Sequence, residues 1–150
     1  LPARRKGAPF APRPRFSSRA LLLKSFPAMP GGLVAAAKRL GAKAVVVEGT
    51  GLGHVGSGAS KELARFVRGG GLAFMTSQCI EGRVDLEVYD TGRDLLREGV
   101  TPLEDMLPET ALVKAMWALA NSRSRDGAKD LMVRDLAGET TTRTFPVSKK

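Results

Sequence analysis

The stretch that decides the fold reads Lys43-Ala-Val-Val-Val-Glu48-Gly49-Thr50-Gly51-Leu52-Gly53-His54-Val55-Gly56. Its first half is a run of β-branched residues, which favours a buried strand. Its second half is a turn dense in glycine that holds the only histidine of the chain, and a helical pattern follows it. A strand, a glycine loop and a helix in this order predict the junction at which an open α/β sheet usually binds its ligand.

The segments around this junction alternate in the same way between short apolar runs and helical spacing. We predict strands over 20–26, 43–48 and 72–77, and helices over 31–40 and 57–67, the second capped by Ser60. Strands that alternate with helices through short connections predict a small parallel sheet with flanking helices and right-handed crossovers, an α/β fold.

The second half of the chain is read as mostly helical. Residues 84–89 alternate with period two and form either a strand or an extended loop, and helices are expected over 91–98, 108–121 and 126–136. Thr101 to Glu104 has a capping-box pattern, with Pro102 at the first helical position. The helix over 108–121 is apolar on two stripes, with Lys114 as one of its few charges, so it is buried or covers a subunit interface.

Composition places the chain among ordinary one-domain proteins and excludes several site types. It has 150 residues, 43% hydrophobic and 26% charged, and no apolar run near the ~20 residues that span a bilayer. A single cysteine, Cys79, and a single histidine exclude an internal disulfide and a cysteine-rich zinc site. We expect a cytoplasmic protein without a membrane segment, and the leucine at position 1 suggests a fragment of a longer protein.

The net charge of +9 is concentrated at one end. Residues 1–24 hold seven basic residues and no acid, whereas the remainder is nearly balanced. We expect residues 1–19, rich in proline and arginine, to be a disordered arm or linker that could also touch RNA phosphate. Residues 20–138 would form the folded domain, and residues 139–150 a polar tail.

The glycine loop supports several interpretations on physical grounds. Residues 51–56 match G-x-G-x-x-G, but no acid follows the next strand and the helical pattern begins late, which argues against a dinucleotide site. The density of glycine indicates either a plain turn or the close approach of a ligand or a second chain. His54 is then either a binding or proton-transfer group or an exposed loop residue.

No self-contained catalytic machinery is evident. The possible nucleophiles lie beside no base in a known motif: Thr50, Thr76, Ser77, Cys79 and Tyr89. The charged segment 81–90 either orients a small polar substrate or is a solvated face. The residues therefore predict an α/β half-domain with a site but no self-contained catalytic machinery.

Five motifs in order resemble the family of D-type, glutaminase subunits of archaeal glutamyl-tRNA(Gln) amidotransferases. The motifs are Val47-Glu-Gly-Thr-Gly-Leu-Gly-His54, Met75-Thr-Ser-Gln-Cys79, Gly82-Arg-Val84, Val88-Tyr-Asp-Thr-Gly-Arg93 and Glu104-Asp-Met-Leu-Pro-Glu109. Residues 24–121 are similar to the asparaginase-like C-terminal subdomain of that family, a Rossmann-like unit of the asparaginase/glutaminase fold.

This resemblance implies a role in making Gln-tRNA(Gln). In the family, the D-type subunit hydrolyses glutamine and passes ammonia to the E-type subunit of the amidotransferase, which uses ATP and Mg to activate glutamate on the tRNA. The catalytic threonines, aspartate and lysine lie in an N-terminal subdomain whose motifs this chain lacks, so the resemblance carries over no catalytic residue and no cofactor. It implies a homodimer that contacts tRNA(Gln) only indirectly.

What the resemblance does carry over is an accessory set of residues that bind substrate or close a neighbour's site. The set comprises Thr50, Gly51, Gly53, His54, Gln78, Arg83 and Glu87. Two alternatives stay open: half of a free L-asparaginase, and a non-catalytic module that binds a partner or RNA.

Overall fold

The structure, a computed structural model, describes residues 11–141, and the fold is an open parallel α/β sheet between two layers of helices. Four parallel strands lie in the order β1-β2-β3-β4. The elements are β1 Ala20–Lys24, α1 Leu33–Arg39, β2 Ala44–Gly49, α2 Ser57–Arg68, β3 Leu72–Ser77, α3 Asp90–Arg97, β4 Thr101–Pro102, α4 Pro108–Asn121 and α5 Arg125–Val133. The predicted fold class is confirmed.

The β-branched run forms the central strand because it can be buried on both faces. Val45, Val46 and Val47 are at most 3% exposed, and β2 pairs with β1 on one side and β3 on the other. Successive side chains point to opposite faces of the sheet. Val45 and Val47 therefore pack towards α1, α2 and α3, whereas Val46 packs towards α4 and α5.

Two local predictions were wrong, and one open alternative is decided by the structure. Helix α2 begins at Ser57 with Gly56 as its N-cap, so Ser60 lies inside the helix and does not cap it. Of the two alternatives for residues 84–89, a strand or a loop, the structure has the loop. Thr101 and Pro102 form β4 and not a helix start, because Thr101 pairs with Phe74 of β3 and the N–H of Leu103 donates to Met75 O at 2.9 Å.

The fifth helix is shorter than expected at its end and begins one residue earlier. It runs over Arg125–Val133, and Ser124 caps it by accepting a hydrogen bond from the N–H of Gly127 at 3.0 Å. The predicted helix over 108–121 has the bounds of α4. Its inner face packs on the sheet, which explains one of its two apolar stripes.

The outer side of α4 holds both ends of the described chain. The indole of Trp117 donates to Arg13 O, the amide of Asn121 donates to Arg15 O, and the N–H of Ser17 donates to Met116 O, each at 2.9 Å. This part of the predicted arm is therefore docked. Residues 1–10, which hold the rest of the arm, lie outside the described residues.

The predicted polar tail begins with a buried contact. Lys114 of α4 and Glu139 form an ion pair in which their side chains are 7% and 8% exposed. Among the helices that the structure describes, none is long and apolar enough to cross a membrane.

Candidate functional site

The glycine loop leaves β2 at the carboxyl end of the sheet and folds into a tight closed turn. Thr50 and His54 form an isolated antiparallel bridge, in which the N–H of Thr50 donates to His54 O at 2.9 Å and the N–H of His54 donates to Thr50 O at 2.8 Å. Gly51 and Gly53 adopt φ of 51° and 104°, which side chains rarely allow. The loop is thereby preformed.

Two glycines of the loop are explained by packing within the chain. A Cβ on Gly53 would lie 2.9 Å from side-chain atoms of Met75 and Val84, and one on Gly49 would lie 2.8 Å from the backbone of Gly53. In contrast, Cβ atoms on Gly51, Gly56 and Gly58 would meet nothing within 4 Å. The chain's own core therefore requires part of the glycine density, and the rest faces open space.

His54 lies at a cleft between the glycine loop, α2 and α3. The cleft has a volume of about 390 Å³, and its lining includes Gly53, Ser57, Ser60 and Gly92. Its position at the carboxyl end of a parallel sheet agrees with the usual location of ligand sites in α/β folds.

Tyr89 is a site residue that the sequence reasoning considered only as a nucleophile. Its ring meets His54 edge to face, with the centroids 4.7 Å apart and the planes at 69°. The preceding segment is tied to the loop, since the N–H of Asp85 donates to Leu52 O at 3.0 Å. The motif around Tyr89 was visible in the sequence, but its contact with His54 depends on the fold.

Gln78 connects the ends of three strands. Its backbone N–H donates to Gly49 O at 2.8 Å, and its side-chain amide donates to Ser25 O and to Glu48 O, the latter at 3.1 Å. Glu48 in turn forms an ion pair with Lys24 at 2.8 Å. The donors of the Gln78 amide thus connect the carboxyl ends of the three strands.

Arg83 belongs to a second cluster, with the C-terminal segment. Its guanidinium lies 3.4 Å from Glu104 Oε2 and 3.9 Å from Asp105 Oδ1, and it donates to Thr141 O at 2.7 Å. Burial raises the pKa of Asp105, but hydrogen bonds from Thr141 and the charge of Arg83 outweigh it, so the pKa lies below its usual value. Glu87 has an exposed side chain; its backbone carbonyl accepts from Arg93 at 2.7 Å.

The turn is poorly suited to a phosphate. Helix α2 starts directly after Gly56, so the expectation that the helix begins too late was wrong. However, the N–H groups of Gly53 and His54 both donate to Thr50 O, at 3.0 and 2.8 Å, and so are not free to cradle a pyrophosphate. No carboxylate ends β3 either, since that strand closes on Ser77.

The hydroxyl groups at this end of the sheet also have structural partners. Thr76 is fully buried and donates to Val47 O at 3.0 Å, and Ser77 donates to Gly51 O at 2.5 Å. Cys79 is exposed and free. Over residues 11–141, no group of three or more His, Cys, Asp or Glu side chains is arranged to hold a metal ion. The cleft is lined by His54, whose ring contacts Tyr89, and by the hydroxyl residues Ser57, Ser60 and Thr91.

Comparisons with known proteins identify the family of this domain. Residues 19–132 match the glutaminase/asparaginase C-terminal domain family. The D-type subunit of glutamyl-tRNA(Gln) amidotransferase from Sulfolobus acidocaldarius is 46% identical, over 83% of this chain and 28% of that protein. Its counterpart from Pyrococcus furiosus is 46% identical over 88% of this chain and 30% of that protein.

A solved structure is similar over the same region. The thermostable L-asparaginase from Thermococcus kodakarensis superposes with a TM-score of 0.77 at 31% identity, covering 87% of this chain and 40% of that one. The chain spans under a third of the length of the two amidotransferase relatives. Because the family match covers most of the chain, the chain belongs to the glutaminase/asparaginase C-terminal domain family.

Proposed function

We propose that the chain is the C-terminal part of the glutaminase subunit, the D-type subunit, of an ATP-dependent amidotransferase that converts Glu-tRNA(Gln) to Gln-tRNA(Gln). The observation that carries the proposal is the preformed glycine loop, which holds His54 at the cleft. It occurs in a chain that is 46% identical to a part of that subunit. In this role the chain acts in the cytoplasm and binds no cofactor, and ATP and Mg are used by the E-type subunit.

The chemistry of the site supports a shared active site. Thr76 and Ser77 donate their hydroxyl protons to backbone carbonyls, so neither is poised for attack. We therefore assign the nucleophilic threonine to an N-terminal asparaginase-like subdomain, and this chain supplies a wall that binds glutamine and excludes water. The open faces of Gly51 and Gly56 leave room for the backbone of that neighbour.

Within this wall, His54 is the side chain best placed to touch substrate. It is half-buried at the mouth of the cleft, and the Tyr89 ring contacts it edge to face. Gln78 and Arg83 act as positioning residues, since their donors hold Ser25, Glu48 and Thr141. Thr50 and Glu87 are exposed and available to a partner.

Reconstitution tests the proposal. The chain is mixed with a purified N-terminal asparaginase-like subdomain that carries the threonine motifs, and ammonia release from glutamine is measured. We expect no activity from either part alone and activity from the mixture. Hydrolysis by this chain alone would contradict the shared site, and a mixture that forms a complex without hydrolysing glutamine would refute the assignment.

In the active mixture, His54→Ala is expected to raise KM for glutamine or lower kcat at least tenfold. The matched control is Asp130→Ala, an exposed residue on α5. His54→Gln, which keeps a hydrogen-bonding side chain, should recover part of the loss. Kinetics of His54→Ala equal to those of Asp130→Ala would remove His54 from the site.

The likeness to L-asparaginase favours a second candidate, half of a free asparaginase. The relative kcat/KM for glutamine and asparagine in the same mixture separates the two, since the amidotransferase role requires glutamine to be preferred. We also propose that the glycine loop meets its neighbour in a homodimer. Sedimentation that shows only monomers at micromolar concentration would contradict that part.

A further inference from the structure

A cluster of cations lies at the end of the sheet opposite the candidate site. Arg19 and Lys43 directly precede strands β1 and β2, Lys38 lies in the last turn of α1, and Arg123 and Arg125 lie where α4 gives way to α5. All five side chains belong to exposed residues. Four separate parts of the chain thus bring positive charge to the end of the sheet at which its strands begin.

These five cations line two adjoining cavities that share Lys43 and Gly70, which we call the cationic groove. The cavities have volumes of about 300 and 170 Å³. No Asp or Glu is among the residues that line either one, and Ser122 and Ser124 add hydroxyl groups. Within residues 11–141, none of the five cations forms an ion pair.

Part of this charge serves the fold. Arg19 donates to Gly41 O at 2.9 Å, and Arg125 makes longer bonds of 3.3 and 3.4 Å to Gly71 O. Lys38 lies near the carbonyl end of α1, where the helix dipole favours a cation. These contacts use few of the donors that the guanidinium groups carry, and they explain neither Lys43 nor Arg123.

The position of Arg125 opposes the helix dipole. It is the first residue of α5, where the positive end of the helix favours an acid and a second positive charge is unfavourable. Asp126, the acid of that first turn, is absent from the lining of the groove. The groove therefore concentrates cations beside the positive end of a helix dipole, an arrangement that suits an anion with several charges, while the N–H of Gly127 in that helix is already used by Ser124.

We propose that the cationic groove binds the phosphate backbone of an RNA. The described part of the arm, residues 11–19, lies beside the groove, because the carbonyl of Arg15 accepts a hydrogen bond from Asn121, the residue before Ser122 of the groove. Phosphate contacts by Lys and Arg give affinity that depends on salt and little on sequence. Only the identification of the RNA as a tRNA rests on the proposed function.

The test is the binding of the 150-residue chain to an unmodified tRNA transcript across a salt series. The double variant Lys43→Gln/Arg123→Gln removes two charges whose side chains form no hydrogen bond or ion pair with another part of the described fold. The matched control Lys129→Gln/Arg134→Gln removes two charges from α5 and its end, outside the groove. A third variant lacks residues 1–10, so that the contribution of the arm is measured separately.

We expect the groove variant to lose roughly tenfold or more in affinity at 0.1 M salt and to reduce the salt slope by about 1 to 2, since each phosphate contact contributes about 0.7 to 0.9. The control should change neither quantity appreciably. An equal loss in groove and control variants, or loss only on removing residues 1–10, would overturn the proposal. Binding of poly-glutamate as tight as that of the tRNA transcript would also overturn it, because the groove would then bind any polyanion and not RNA in particular.

Failure of this proposal is distinguishable from failure of the proposed function. Binding of the transcript is measured on this chain alone, whereas glutamine hydrolysis requires the N-terminal subdomain. If the groove binds RNA but the chain never supports glutamine hydrolysis, the RNA-binding proposal stands and the proposed amidotransferase function is refuted.

Discussion

The buried ion pair between Lys114 and Glu139 gives a quantitative prediction about how the end of the domain is held. Glu139 accepts hydrogen bonds from the N–H groups of Leu136 and Ala137 at 3.1 and 2.6 Å, and Lys114 also donates to Arg134 O. Both side chains are over 90% buried. Removing one partner leaves a charge in a poorly solvated place, which costs about 3–5 kcal/mol in comparable buried pairs.

The pKa of Glu139 gives an independent magnitude. Burial would raise this pKa, but Lys114 and the two N–H groups outweigh burial and lower it to about 2, from an ordinary value of 4.5. At 1.36 kcal/mol per pKa unit, the ionised form stabilises the fold by up to about 3 kcal/mol. Lys114 is the largest of the groups that lower this pKa, and its removal also leaves Glu139 buried without its partner, so we expect Lys114→Met to lose about 3 kcal/mol of unfolding free energy at pH 7.

The pH dependence follows from the direction of that shift. Because the folded pKa lies below the unfolded one, the stabilisation is complete above pH 4.5 and is lost as the pH falls towards 2. The difference between the wild-type chain and Lys114→Met should therefore shrink between pH 5 and pH 2. It should stay constant between pH 6 and pH 8.

Urea denaturation followed by the fluorescence of Trp117, the only tryptophan, measures both effects. The matched control is Lys61→Met, an exposed lysine on α2, which should change stability by less than about 0.5 kcal/mol. The double variant Lys114→Met/Glu139→Gln removes both charges and should recover much of the loss. A loss below about 1 kcal/mol for Lys114→Met, or one that is independent of pH, would refute the reasoning.

Two further predictions concern the loop and the core. Gly53→Ala forces a side chain into φ of 104° and against Met75, and should cost about 2 kcal/mol or more, whereas Gly58→Ala in open space on α2 should be neutral or stabilise by up to about 1 kcal/mol. Phe74 is 1% exposed, so Phe74→Ala leaves a cavity and should lower the free energy of unfolding by about 3–5 kcal/mol. Phe16 is 54% exposed, and Phe16→Ala should lower it by less than about 1 kcal/mol. Urea midpoints measure both pairs, and equal shifts within either pair would contradict the packing described.

The central elements were predictable because their signals are local and strong. The valine run of β2 is stable only when it is buried on both faces. The apolar run of β3 begins directly after a glycine, and the apolar run of α4 begins at a proline. Thr101 and Pro102 misled the prediction because a capping box is also local. Their pairing with β3 depends on a distant strand, and Pro102 is tolerated because β4 lies at the edge of the described sheet.

The candidate site was predictable in place but not in detail. The junction after β2 pointed to the cleft, yet the reason for its glycines was only half visible, since Gly49 and Gly53 are set by contacts with the chain's own core. Glu139 was assigned to a polar tail because nothing near it in sequence shows that Lys114 would bury it. In both cases the missing information is a contact between distant segments.

The hydrogen bonds at the carboxyl end of the sheet decide how much chemistry this chain can perform. A nucleophile needs a hydroxyl or thiol beside a base, but Thr76 donates to Val47 O of β2 inside the sheet, and Ser77 donates to Gly51 O of the loop. Freeing the Ser77 hydroxyl would loosen the turn that carries His54. The groups that keep the loop rigid are thus unavailable for catalysis, and this is the physical reason to expect that a neighbouring subdomain supplies the attacking group.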